Sequence, residues 1–247
     1  MHRRTIGILG GMGPLATVEF YRRVVTRTPA RSDQDHLHVV IDADPTIPDR
    51  TAALVERGAD PTPRLIAAAR RLEASGADFL VVPCHTAHTF LPAVQAAIGI
   101  PIVDMIGEAA LELARRYPPD TPFGLLATRG TIAAGLYERA LSRQRLRVLV
   151  PDEAGQCLVD RVITRIKQGC LDEETTALVS LTVERMAKGE VAAIVIGCTE
   201  LSLILLEERS DSPLVDTTSL LADVAVAIGL GIRPLPPPLP TPGSAAP

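Results

Sequence analysis

Cys84 and Cys198 each close an apolar run, and two thiols can do what one cannot. The first follows Phe79-Leu80-Val81-Val82-Pro83 and precedes His85-Thr86-Ala87-His88. The second follows Ala193-Ile194-Val195-Ile196-Gly197 and precedes Thr199-Glu200. Gly7-Ile8-Leu9-Gly10 opens 77 residues (84 − 7) before Cys84, and Gly124-Leu125-Leu126-Ala127 opens 74 (198 − 124) before Cys198. A repeated half with one thiol per copy can set two acid/base groups on opposite sides of one pocket. Such a pair can take a proton from one face of a carbon and return one to the other. For an amino acid α-carbon the carbanion is poorly stabilised. One solution is a cofactor acting as electron sink. The other is a thiolate and a thiol in a dry pocket with fixed donors. A thiolate is favoured by nearby cations or a helix N-terminus, and a helix start is expected after each cysteine.

Rival readings of the same residues fit less well. Gly11-Met12-Gly13-Pro14-Leu15-Ala16 matches G-x-G-x-x-A after a strand. The candidate ribose acid, Asp42, lies 31 residues beyond Gly11 (42 − 11), against ~20 in the usual spacing. Pro14 also interrupts the loop, whose N–H groups suit a substrate carboxylate better. Cys84, His85 and His88 match no common zinc spacing, so no metal is expected. His88 reads as a helix-start residue held by local hydrogen bonds, and His85 as a pocket residue beside Cys84. Arg50 sits in Ile47-Pro48-Asp49-Arg50-Thr51, a proline-stiffened loop from which a guanidinium can grip a carboxylate. Of 25 basic side chains only Lys167 and Lys188 are lysines, which singles out Lys167 as a place for a compact ammonium.

These residues need elements to position them. Residues 5–9, 38–42, 79–82 and 100–103 read as strands, with helices at 15–27 and 64–75 and a loop-rich stretch at 44–60. The pattern restarts with strands at 123–127, 147–150 and 192–196 and helices at 131–142, 156–168 and 173–188. Pro213-Leu214-Val215-Asp216 repeats Pro101-Ile102-Val103-Asp104, so the duplication runs past the cysteines. Strands alternating with helices give α/β layers with mostly parallel sheets, and ligands bind beyond the carboxyl ends of such strands. Every candidate residue falls at that edge.

Composition narrows the class. The chain has 247 residues, 47% of them hydrophobic, enough for one large or two moderate cores. A net charge of −4 argues against nucleic acid as the main partner, and no apolar run is long enough for a membrane span. Four cysteines are too few for a disulfide framework, so all are read as reduced and the protein as cytoplasmic. Residues 233–247, dominated by proline, read as a disordered or polyproline-like tail.

Taken together, Gly7-Ile8-Leu9-Gly10-Gly11-Met12-Gly13-Pro14, Ile47-Pro48-Asp49-Arg50-Thr51, Gly76-Ala77-Asp78-Phe79, Leu125-Leu126-Ala127-Thr128 and the two cysteine motifs resemble the aspartate racemases of the cofactor-independent aspartate/glutamate racemase superfamily. The resemblance covers residues 4–230. It implies two pseudo-symmetric three-layer α/β domains with the active site in the cleft between them, no cofactor, no metal, and a homodimer. The first domain would comprise residues 1–103 plus about 211–232, and the second 104–210. Cys198 would take the proton of the L-substrate and Cys84 that of the D-substrate. Arg50 and Lys167 match positions for the side-chain carboxylate. Met12, Thr86, Thr128, Thr131 and Thr199 match pocket-lining positions. Relatives usually carry asparagine where this chain has His85. A histidine able to charge near neutral pH would alter the acidic limb of the pH profile and the substrate preference. Arg129 adds a further cation near the cleft mouth. The implied activity is aspartate racemisation. The alternatives are racemisation of another acidic or polar amino acid such as glutamate, a one-thiol decarboxylation, or non-catalytic binding of a small ligand.

Overall fold

The computed structural model of the protein describes residues 3–204 and 213–240. Strand β1 (Ile6–Gly10) is buried at every position, as a parallel strand covered on both faces must be. It pairs in parallel with β2 (Val39–Ala43) and β3 (Phe79–Val81), Ile6 lying opposite both Val39 and Phe79. Beyond β3, Ile102 makes a single parallel bridge to Leu80. The strand expected at 100–103 is reduced to that bridge, because Pro101 has no N–H to extend the ladder.

The second half repeats the path. β4 (Pro122–Ala127) pairs with β5 (Arg147–Leu149) and β6 (Ala193–Gly197), and β6 with β7 (Leu214–Asp216), all in parallel. The orders β2-β1-β3 with its Ile102 bridge and β5-β4-β6-β7 are equivalent. The fold is therefore two pseudo-symmetric α/β halves with parallel sheets, as the sequence implied.

Alternate strand residues feed opposite faces, which makes three layers in each half. On one face of the first sheet, Leu9, Leu80 and Val82 pack against α3 (Thr62–Ala74) and α4 (Leu91–Gln95). On the other, Ile6, Ile8, Phe79 and Val81 meet α1 (Pro14–Arg27) and α10 (Thr217–Gly229). In the second half, Phe123, Leu125 and Val195 face α5 (Met105–Arg116) and α7 (Leu136–Arg143). Leu126, Ile194 and Ile196 face α8 (Glu153–Lys167) and α9 (Glu173–Ala187).

The halves exchange helices. Asp104 caps α5, which leaves the first sheet and packs in the second core. Asp216 caps α10 in the same way, and α10 leaves the second sheet and packs in the first core. The return to the first half thus comes at Thr217 rather than near 211, because residues 214–216 pair with β6. Residues 205–212, where that boundary was expected, lie outside the described residues.

Three local readings are corrected. The stretch 44–60 contains a helix, α2 (Arg50–Val55), which Asp49 caps by accepting from the Ala52 N–H. The helix expected over 131–142 is two, α6 (Arg129–Ala133) and α7, divided by Gly135 in the left-handed conformation. Residues 233–240 are not a disordered tail. Arg233 forms a two-pronged ion pair with Glu108, the Leu239 N–H donates to Gln95 Oε1, and Leu239 packs on the first core. The rest of the tail lies outside the described residues. No described helix is long and apolar enough to cross a membrane.

One buried cation ties the halves together. Arg23 of α1 is 1% exposed. It donates to Glu19, to Asp216 and Ser219 at the start of α10, and to the Ser202 carbonyl just past Cys198. Removing one member of such a network leaves a buried charge without its partner. Arg23→Ala is expected to lower unfolding stability by about 3–5 kcal/mol, measured by urea titration. Arg23→Lys should recover only part, because an ammonium cannot reproduce the planar fork.

Candidate active site

Strands β1 and β3 of the first half and β4 and β6 of the second direct their carboxyl ends into one cavity. β1 ends in a turn where Gly11 has φ +87°, and a Cβ there would stand 2.5 Å from the Asp44 backbone. Only glycine fits, and the turn carries Met12 into the cavity. Past β3 comes Cys84, past β4 Thr128, past β6 Cys198. The cavity is small, about 290 Å³ with its open mouth included.

Nine of the ten sequence-derived site residues line it: Met12, Arg50, Cys84, His85, Thr86, Thr128, Lys167, Cys198 and Thr199. Thr131 does not. It is fully buried, and its hydroxyl bonds to Thr86 (2.9 Å) and Thr128 (3.1 Å) while Thr86 and Thr128 bond each other (2.8 Å). This triangle of hydroxyls sews the first half to the second. Nearby, Gly130 of α6 comes so close to α2 that a Cβ on it would stand 2.8 Å from Thr51 Cα. Arg129 is likewise not in the lining. Its guanidinium is held outside by Asp160 and Glu153. Asp42, the rejected ribose acid, pairs with Arg71.

Sequence reasoning missed Asp49, Thr51, Gly197 and Glu200, which also line the cavity. Asp49 and Glu200 stood inside quoted motifs, but nothing in a linear pattern shows which acids a cavity will collect. Asp49 Oδ2 lies 3.9 Å from Lys167 Nζ, joining the halves at the mouth. Burial alone would raise the Asp49 carboxyl. The Ala52 N–H, Lys167 and Arg50 together outweigh that and hold it below its ordinary value.

Arg50 is buried. Its Nη1 donates to the carbonyls of Ile47 (3.2 Å) and Pro48 (3.0 Å), while its Nε has no partner. A buried donor without a partner is costly unless a ligand supplies an acceptor.

His85 does not behave as a charge switch. Its Nε2 lies 2.7 Å from Thr217 Oγ1, and that hydroxyl already donates to the Ile196 carbonyl at 2.7 Å. The hydroxyl has one hydrogen, so His85 must donate from Nε2. Nδ1 is then a bare acceptor, buried and unpartnered. Burial, with His88 nearby, pushes the imidazole down to about 3. The ring is neutral throughout the physiological range. His88 is held locally, as expected: its Nδ1 lies 2.9 Å from the Cys84 carbonyl, and Met105 N–H donates to its Nε2 at 3.3 Å.

The two thiols are 6% and 4% exposed, Cys84 and Cys198 respectively. The helix starts expected behind them are only single 3₁₀ turns, at Thr86–Thr89 and Leu201–Leu203. They bring no long helix dipole to either sulfur. At Cys198 the environment works the other way. Its thiol donates to Glu200 Oε2 at 3.0 Å. Burial, then the Glu200 charge and this hydrogen bond, push the thiol well above its ordinary value, while Lys167 pulls weakly in the opposite sense. Among the described residues no group of three or more His, Cys, Asp or Glu side chains is gathered to hold a metal ion.

The model of the Asp/Glu/hydantoin racemase family matches residues 9–225. The chain is 30% identical to the broad specificity amino-acid racemase RacX of Bacillus subtilis strain 168, over 92% of this chain and 99% of that one. It superposes on the aspartate racemase of Picrophilus torridus with a TM-score of 0.77 and 29% identity, covering 92% of this chain and 94% of that one. The glutamate racemase of Francisella tularensis, at 14% identity and a TM-score of 0.67 over 97% of this chain and 86% of that one, shares the fold. A cavity between two matched halves, with one buried thiol from each, thus accompanies a family match along most of the chain: the protein belongs to the Asp/Glu/hydantoin racemase family and is an amino-acid racemase.

Proposed function

We propose that the protein interconverts L- and D-aspartate by proton transfer between Cys198 and Cys84, with no cofactor or metal. One observation carries this reading: two buried thiols, one from each half, line a single small cavity that also holds an arginine with an unpartnered N–H. With L-aspartate, Cys198 first loses to solvent the proton that burial and Glu200 hold on it; its thiolate then takes the α-proton and becomes a thiol. The Cys84 thiol then gives its proton to the opposite face of the carbanion and becomes a thiolate. With D-aspartate the same transfers run backwards. Each sulfur gains or loses one proton, and the next turnover requires the two sulfurs to exchange state through solvent.

Arg50 is the preferred ligand for the distal carboxylate, since its Nε finds no acceptor in the protein. Lys167, which the sequence pairs with it, stands beside Asp49. A substrate carboxylate must compete with Asp49 for that ammonium. This favours a second reading, in which the distal carboxylate is weakly demanded and other polar amino acids also react. The relatives span both readings, one an aspartate racemase and one a broad specificity amino-acid racemase.

Three outcomes test the proposal. Cys84→Ser and Cys198→Ser should each reduce racemisation by at least about 10²-fold, the scale of a lost acid/base group. In D₂O, one single variant should still exchange the α-proton of one enantiomer. Racemisation by both variants near the wild-type rate would remove the two-thiol mechanism.

Arg50→Ala should lower kcat/KM for aspartate by about 2–5 kcal/mol more than for alanine, the scale of a lost buried charge-assisted contact. Equal losses for both substrates would favour the broad reading.

His85→Asn should leave the acidic limb of kcat/KM unchanged between pH 5.5 and 9, because the ring is uncharged there. Its effect appears in stability instead. The folded ring titrates at about 3 against an ordinary value of 6.5, so the unfolded chain binds its proton first as pH falls. The contribution is complete above 6.5 and is lost as pH falls towards 3. Urea midpoints of wild type should drop across that window more steeply than those of His85→Asn.

A further inference from the structure

Glu200 is a buried carboxylate that the two-thiol exchange does not use. It is 5% exposed and sits two residues beyond Cys198 in the cavity lining. Its Oε2 accepts from the Cys198 thiol at 3.0 Å and the Thr199 hydroxyl at 3.3 Å. Its Oε1 is buried and has no partner. That oxygen lies against the glycine turn: a Cβ on Gly13 would stand 3.3 Å from it. Among the described residues no arginine, lysine or histidine forms an ion pair with Glu200. The cavity's two cations are engaged elsewhere, Arg50 with backbone carbonyls and Lys167 with Asp49. A buried carboxylate without a counter-ion costs several kcal/mol. A ligand bearing a cation would relieve that cost.

We propose that Glu200 is the anchor of the substrate's α-ammonium, and that through it the site takes free α-amino acids and rejects analogues without that charge. The inference rests on the racemase reading of this cavity and names what that reading leaves open. The geometry follows from the chemistry. A carbon that exchanges its proton with Cys198 must touch Sγ, and the ammonium is one bond from that carbon. A carboxylate oxygen 3.0 Å from Sγ can then be reached by the ammonium when the substrate turns that bond towards Glu200. His85 adds a second, neutral acceptor in its unpartnered Nδ1. The carboxylate supplies charge, and the imidazole supplies direction without competing for a proton. Arg50 Nε, the unpartnered donor, is left for the distal carboxylate of the same molecule. The three unpartnered atoms of the lining, two acceptors and one donor, thus complement the ammonium and the distal carboxylate of aspartate.

The anchor also draws a line inside the family, whose members are named for aspartate, glutamate and hydantoin. A hydantoin ring has no ammonium, and a 2-hydroxy acid has a neutral hydroxyl in its place. Either would leave the Glu200 charge buried and uncompensated.

Calorimetric titration of the full chain with racemic aspartate and with succinate tests this. Succinate is aspartate without the amino group, and the racemic mixture is already at equilibrium, so turnover adds no net heat. Wild type should prefer aspartate. Glu200→Gln should weaken aspartate binding by roughly 10–100-fold, the scale of a hydrogen bond to a charged group, and leave succinate binding unchanged or tighter. Glu200→Asp should fall between them. If Glu200→Gln keeps the wild-type preference for aspartate, the anchor is elsewhere and the inference is overturned. If Glu200→Gln does not fold, the wild-type titrations and Glu200→Asp decide. Equal wild-type affinity for the two ligands overturns the inference, and a preference that shrinks in Glu200→Asp supports it. Failure of the racemase reading shows differently: wild type would bind aspartate through Glu200 yet leave its optical activity and α-deuteration unchanged in D₂O.

Discussion

Two buried thiols, one from each half, line one cavity, and neither half of the chain could build that arrangement alone. The fold builds it by locking the halves across buried polar groups. Arg23 is the central one. It lies in a helix of the first half and holds both the turn behind Cys198 and the Asp216 cap. Asp216 in turn accepts from Ser202 and from the first N–H groups of α10, the helix that crosses back to the first core. A buried guanidinium tolerates few alternative arrangements, because each displaced donor would be left unpaired. The sulfur of the second half is therefore fixed relative to the first half by hydrogen-bond geometry, beyond what apolar contact alone would fix.

The layers were legible because they rest on periodicity. Ile6-Gly7-Ile8-Leu9 and Ala193-Ile194-Val195-Ile196 are continuous apolar runs, the pattern of strands buried on both faces. The duplication was legible in the repeat of Pro101-Ile102-Val103-Asp104 at residues 213–216, and both aspartates cap the helix that follows. Failures came where tertiary contact decides. Proline-rich text at 44–60 concealed α2, whose cap is a local bond but whose place is set by packing on α6. Leu235 and Leu239 among prolines gave no periodic signal, yet the segment is held by Gln95 of the first half and by Glu108 of α5, which packs in the second.

The site was legible as a set of residue types and less so as a set of states. The cysteines, Arg50 and the threonines could be placed at strand ends, and all but Thr131 line the cavity. Their protonation could not be placed, because it depends on burial and on single hydrogen bonds. His85 next to a cysteine invites a charged reading. The Thr217 hydroxyl, 132 residues away, fixes its tautomer instead. A helix start after Cys198 suggests an easily ionised thiol. Burial, joined by a carboxylate two residues on, reverses the sign. Chain order carries no information about which of two neighbouring polar groups will be left without water.

The bond from the Cys198 thiol to Glu200 has a consequence for the protein's durability. Oxidants and electrophiles attack thiolates, so a sulfur that burial and a neighbouring carboxylate keep protonated is chemically quiet. Cys157 is exposed on the outer face of α8, where its sulfur touches Arg129 and Glu153. A peroxide arriving from solvent meets that sulfur long before it meets either of the buried ones. Under oxidative stress the molecule would carry its first lesions on a helix surface, with the two buried sulfurs of the cavity still intact.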